Sequence, residues 1–183
     1  AGKTTTIRCL MDFIRPSQGR ISILGMDAQK NSVAIKQRVG YLTSDVRLYD
    51  GWTGWEHISF IEKIRQRKSM AGGLIERLNF NPNIKYKHLS SGNKQKLGII
   101  LCLMFRSELI IMDEPTIGLD PLLQNKVYEI LFELQQKGST IFMSSHNLSE
   151  VDRICHKVGI IKAGQLIKIE NILRLDRRLI IKK

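Results

Sequence analysis

Apolar positions along this chain alternate between a helical period and short unbroken runs. Thr4 to Ile14 has the spacing of a helix, and "RPSQG" then turns the chain into a short strand, "RISIL". After "GMD" a helix is predicted around Val33 to Arg38, followed by the strand "VGYL". Trp55, Ile58, Ile61 and Ile64 recur every third residue, and Leu74, Ile75 and Leu78 continue the style, so 55–79 is predicted as a helical region inserted between strands. "ELIIMD" is a continuous apolar run before charges, the pattern of a strand buried on both faces.

The following helix carries its own start and stop signals. Asp120 can cap it, Pro121 suits its first position, and Leu123, Val127, Ile130, Leu131 and Leu134 form one stripe before Gly138 ends it. "STIFMSS" reads as another buried strand. Asn147, with Glu150 three residues on, resembles a capping box whose helix turns Leu148, Val151 and Ile154 inward. "KVGII" and "QLIKI" close the pattern. Strands alternating with helices predict an α/β fold with a mainly parallel sheet, whose ligands sit beyond the carboxyl ends of the strands.

Composition narrows this picture. The 183 residues suffice for one domain core, with room for a small subdomain. The longest apolar run, "LGIILCLMF", is about half of a membrane span of roughly 18 residues, and no basic stretch followed by an apolar one marks a secretory signal; a soluble or peripheral protein is expected. Cys9, Cys102 and Cys155 are odd in number and far apart, which suits structural thiols in a reducing compartment. The net charge of +12 is spread from Arg8 to Lys183 without interleaved aromatic residues, so a solvated face is expected rather than a specific nucleic-acid surface.

The strand ends pick out the chemistry. Asp113 and Glu114 follow "LIIM", Ser145 and His146 follow "STIFMS", and Gly2, Lys3 and Thr4 form the G-K-T that ends a phosphate-cradling loop. ATP hydrolysis needs amides and a lysine on the phosphates, a hydroxyl and a carboxylate for Mg²⁺, and a group that orients the attacking water. Lys3, Thr4, Asp113 and Glu114 match those needs in order. Ser90, Ser91 and Gly92 begin a predicted helix whose free amides and dipole make a second anion site.

With these residues in place, "LSSGNKQKLGI", "LIIMDEPTIGLDP" and "SSHNLSEVDRI" together resemble the ATP-binding cassette family, the motor subunits of ABC transporters, and within it the exporters of drugs, haem or ions. The resemblance implies a P-loop nucleotide triphosphatase with a small inserted helical subdomain, at about 52–96, in a core of 1–51 and 97–169, followed by a basic tail at 170–183. It implies that Gly2, Lys3, Thr4 and Thr5 bind ATP, that Thr4 and Asp113 hold Mg²⁺, that Glu114 is the catalytic carboxylate, and that His146 is the switch histidine. It makes Ser90, Ser91, Gly92 and Asn93 the signature motif, which reaches the ATP of a partner subunit, and Asp120 part of the D-loop. The implied partners are a second cassette, in a homodimer, and integral membrane permease subunits, on the inner face of the plasma membrane.

Ser44 stands at the family's Q-loop position, where Asp45 either substitutes or coupling is weakened; Ser91 replaces a glycine, and Asn93 a glutamine. The sequence begins inside the phosphate loop, and on the resemblance it reads as a fragment lacking the family's first strands, expected to bind Mg-ATP weakly. The other readings are a non-transport cassette acting on DNA or in translation, and a remnant of little activity. Chromosome-maintenance ATPases place a long coiled coil ahead of the signature, whereas Ser44 and Ser90 are 46 positions apart. Two-cassette translation proteins would show a repeat, and none appears.

Overall fold

The computed structural model describes residues 2–172; the expected basic tail lies outside the described residues beyond Ile172. In chain order the elements are α1 (Lys3–Leu10), β1 (Ser22–Ile23), β2 (Met26–Asp27), α2 (Ser32–Arg38), β3 (Val39–Leu42), α3 (Gly54–Arg65), α4 (Ala71–Arg77), α5 (Ser91–Leu103), β4 (Leu109–Asp113), α6 (Pro121–Gln136), β5 (Thr140–Ser144), α7 (Leu148–Ile154), β6 (Lys157–Lys162) and β7 (Gln165–Asn171).

Local chemistry sets several boundaries. Thr53 and Glu56 close a reciprocal capping box at the start of α3, satisfying two backbone donors that a helix start leaves free. Ser90 caps α5 by accepting from the Asn93 amide, and Asp120 caps α6 by accepting from the Leu123 amide. The predicted helical region is two helices, since Gln66 takes a left-handed φ of 49° and ends α3. The first helix stops at Leu10, short of the predicted Ile14, and "RISIL" contributes a strand of only two residues.

β3, β4 and β5 form a parallel sheet in that order, with β4 in the middle. Alternate β4 residues face opposite layers. Ile111 packs with Ile7, Ile23 and Ile35 on one side; Ile110 and Met112 join Ile58, Leu74, Leu97 and Val127 on the other. The second layer is tight. A Cβ on Gly40 would lie 2.3 Å from the Cys102 carbonyl oxygen, so the α5 backbone rests directly on β3 and no larger residue fits. The free thiol of Cys102 is buried there and its pKa is pushed far up by burial, whereas Cys9 and Cys155 are half-buried.

Two antiparallel hairpins accompany the parallel sheet, β1–β2 and β6–β7. The two-residue turn of the second, Ala163–Gly164, has positive φ at both positions, the geometry whose twist matches paired strands. β5 departs from expectation. It is half-exposed, with Phe142 44% accessible, because among the described residues it pairs only with β4. Its open edge lines a cavity of about 850 Å³, walled by Ile141 and Met143, by Val158 and Ile161 of β6, and by Ile7 and Ile154.

The α7 prediction also fails in part. The Asn147 side chain accepts from Ser149 rather than from Glu150, Leu148 is exposed, and Glu150 is the residue turned inward, for partners described below.

Candidate functional site

The register of the sheet aligns two strand ends, with Asp113 opposite Ser144. One residue later Glu114 adopts φ 52°, uncommon for a residue with a Cβ, and swings the chain off the sheet. Its amide donates to the carbonyl and the hydroxyl of Ser144, both at 3.2 Å. The Ser144 hydroxyl in turn donates to Asp113 Oδ1. Asp113 Oδ2 is buried and has no hydrogen-bond partner among the described residues. A carboxylate oxygen left so costs free energy unless a cation meets it, and a hard oxygen donor at a strand end fits Mg²⁺.

Helix α1 brings its first residue to the same place. Gly2 caps it at φ 104°, where a Cβ would press within 3.3 Å of Gly164 Cα, so the tight approach to the β6–β7 turn requires glycine. Lys3 Nζ donates to Glu114 Oε1 at 2.8 Å and to the Ser145 carbonyl at 2.9 Å. His146 Nδ1 reaches the other carboxylate oxygen, Oε2, at 2.7 Å. A carboxylate only accepts, so Nδ1 carries the proton in this contact. Burial pushes the Glu114 pKa up, but the hydrogen bonds from Lys3 and His146 outweigh it and hold the carboxyl below its ordinary range. Thr4 is half-buried and Thr5 exposed in the first turn of α1, where the amides of residues 3 to 5 precede the helical ladder.

Lys3, Glu114 and His146 therefore form one cluster with Asp113 beside it. Among the described residues no hydrogen bond joins Ser44 or the 90–93 run to it. Asp45 is bonded to exposed Arg47. The 90–93 run starts α5 against the loop at Gly118 instead: a Cβ on Gly92 would sit 3.1 Å from the Gly118 carbonyl, and Asp120 caps α6 just beyond. Ser91 does not have positive φ, so its replacement of glycine costs the backbone nothing. Gln95 is buried and donates to the Pro115 carbonyl at 2.8 Å, tying α5 to the loop after Glu114.

Sequence reasoning missed Ser144, Gln95 and Glu150. Ser144 has no local signal, since its partner is supplied by the neighbouring strand. Gln95 lies on an apolar helix and could have been suspected as a buried polar residue needing a partner.

Comparison with known proteins gives a consistent picture. Residues 1–117 match the family described as ABC transporter. The linearmycin resistance ATP-binding protein of Bacillus subtilis is 32% identical, covering 98% of this chain and 60% of that protein. The bacitracin transport ATP-binding protein of Enterococcus faecalis is also 32% identical, covering 97% of this chain and 59% of its own length. A solved ATP-binding subunit of an ABC transporter superposes with a TM-score of 0.87 at 26% identity, over 93% of this chain and 74% of that one. The chain spans between about half and three fifths of the length of the bacterial relatives it matches.

Proposed function

This chain belongs to the ABC transporter family, and on that premise we propose that it binds and hydrolyses Mg-ATP to drive export through separate membrane subunits. The observation that carries this reading is the convergence of Lys3 and His146 on opposite oxygens of Glu114, beside the unpaired buried oxygen of Asp113.

Each residue has a physical task. The free amides at the start of α1 and the charge of Lys3 hold the phosphates. Thr4 and Asp113 would hold Mg²⁺, which when bound neutralises charge building on the phosphate oxygens. Lys3 is committed to Glu114 in this structure, and an arriving phosphate offers it a stronger partner, releasing Oε1 to a water. Glu114, ionised at neutral pH, accepts that water's proton as the oxygen bonds to the γ-phosphorus and the bond to ADP breaks; the products are ADP and phosphate. His146 keeps Oε2 and fixes the direction of the other oxygen.

The helix start at Ser90–Asn93 lies outside this cluster, which supports its use on the ATP of a second copy in a head-to-tail homodimer. The exposed apolar side of the inserted helical subdomain, about 52–96, supports docking on a permease at the inner face of the plasma membrane. The transport named for the bacitracin relative supports an export role.

The test is phosphate release by the purified chain with Mg-ATP, beside calorimetric binding. Glu114→Gln should lower hydrolysis by about 10²-fold or more and leave binding within a few-fold of the parent. Hydrolysis close to the parent rate would overturn the assignment.

A further inference from the structure

The reaction above leaves the burial of Glu150 unexplained. Its side chain is only 2% exposed. Oε1 accepts from Thr116 Oγ1 at 3.0 Å, and Oε2 accepts from Ser145 Oγ. Among the described residues no cation pairs with it. A buried carboxylate satisfied by hydroxyls alone is costly, and an apolar residue of similar volume would pack there more cheaply.

What the carboxylate supplies is direction. It only accepts, so both hydroxyls must point their protons at it. Having given its proton away, Ser145 Oγ offers its lone pairs to the Asn147 amide, 2.9 Å away. The Ser145 carbonyl is meanwhile held by Lys3. Both neighbours of His146 are therefore tied down through one hydroxyl. On the other side Thr116 lies two residues beyond Glu114, in a loop closed by the Ile117 amide on the Glu114 carbonyl. One carboxylate grips the two loops that bring His146 onto Glu114.

We propose that Glu150 is a positioning residue: an acceptor-only clamp between Thr116 and Ser145 that sets the spacing of the Glu114 and His146 loops and keeps the imidazole on the carboxylate. This rests on the reading of Glu114 and His146 as the hydrolytic pair.

Glu150→Gln preserves the volume but presents amide hydrogens to one of the hydroxyls, which must then reverse. In an active parent, kcat should fall about tenfold to a hundredfold, because small misplacements of reacting groups are costly, while KM for Mg-ATP stays within about twofold. The double variant Glu150→Gln/His146→Ala should be no slower than His146→Ala by more than about twofold, since the two act as a unit. Independent, multiplying losses would overturn the clamp.

A second readout does not need hydrolysis. In nitrogen-15 imidazole spectra, with the signal assigned by its loss in His146→Ala, the parent should show a hydrogen-bonded Nδ1–H. Glu150→Gln should convert it to a freely exchanging, solvent-like ring. Ser145→Ala removes one arm of the clamp only; it should give the same change if Glu150→Gln does not fold. An unaltered His146 signal in a folded variant would overturn the proposal. A parent without hydrolysis would defeat the functional reading, and the imidazole spectra would still decide the clamp.

Discussion

His57 has both ring nitrogens committed inside the fold. Nε2 accepts from the Tyr49 amide at 3.2 Å, so the proton sits on Nδ1, which faces the Thr53 carbonyl at 2.7 Å. A second proton would set two N–H groups against each other. The ring is buried, and burial lowers its pKa below the ordinary 6.5 despite the opposing pull of the Thr53 carbonyl and the Glu56 charge. The sign follows from linkage. As pH falls below about 6.5 the unfolded chain takes up the proton first, so stability is lost between that pH and the lower folded value, and is fully present above it. Denaturant melts from pH 7.5 to 5 should show this slope, and His57→Gln should flatten it. An equal slope in the variant would place the titration elsewhere.

At the scale of elements, α3 and the segment before it carry two tryptophans with different roles. Trp52 packs among Tyr49, His57 and Phe60, with ring centroids 4.7 to 5.3 Å away, so it holds the helical layer together. Trp55 is 42% exposed and is the better candidate for a partner contact. Trp52→Ala should therefore cost about 2 kcal/mol of stability, less than a full core truncation, whereas Trp55→Ala should change stability little and weaken co-purification with the permease proposed above. Equal destabilisation by both would remove Trp55 from the interface. The helices and strands themselves were largely legible, because caps such as Asp120 and runs such as "LIIMD" act within a few residues. The strand ends also named Asp113, Glu114 and His146, and the G-K-T motif named Lys3; the fold brings the four side by side. Exposure of β5 was not legible, since "STIFMS" looks alike whether or not a strand lies beside it. Glu150 was misread as a cap because its partner Thr116 is 34 residues away.

For the molecule as a whole, the two outer edges of the parallel sheet are protected unequally. At β3 the Arg65 guanidinium donates to the Val39 carbonyl, the first of the strand, and to the Lys36 and Gln37 carbonyls at the end of α2, so that edge is capped at its start. At β5 the described residues offer no such cover, and an apolar strand edge without a partner is a template for pairing with other chains. Replacing Phe142, the outward-facing residue of β5, by Lys should reduce self-association, measured by light scattering without nucleotide, with little loss of secondary structure. Unchanged scattering would place the contact on another surface. Among the described residues the same edge is a short-range sticky line on a molecule of high net charge. At about 0.01 M salt the Debye length is about 30 Å, and the net charge of +12 keeps molecules apart; at about 0.15 M it is about 8 Å, and edges meet before repulsion is felt. Solubility should therefore fall as salt is raised from about 0.01 M to about 0.15 M, and turbidity that does not rise over that range would remove the edge from the association.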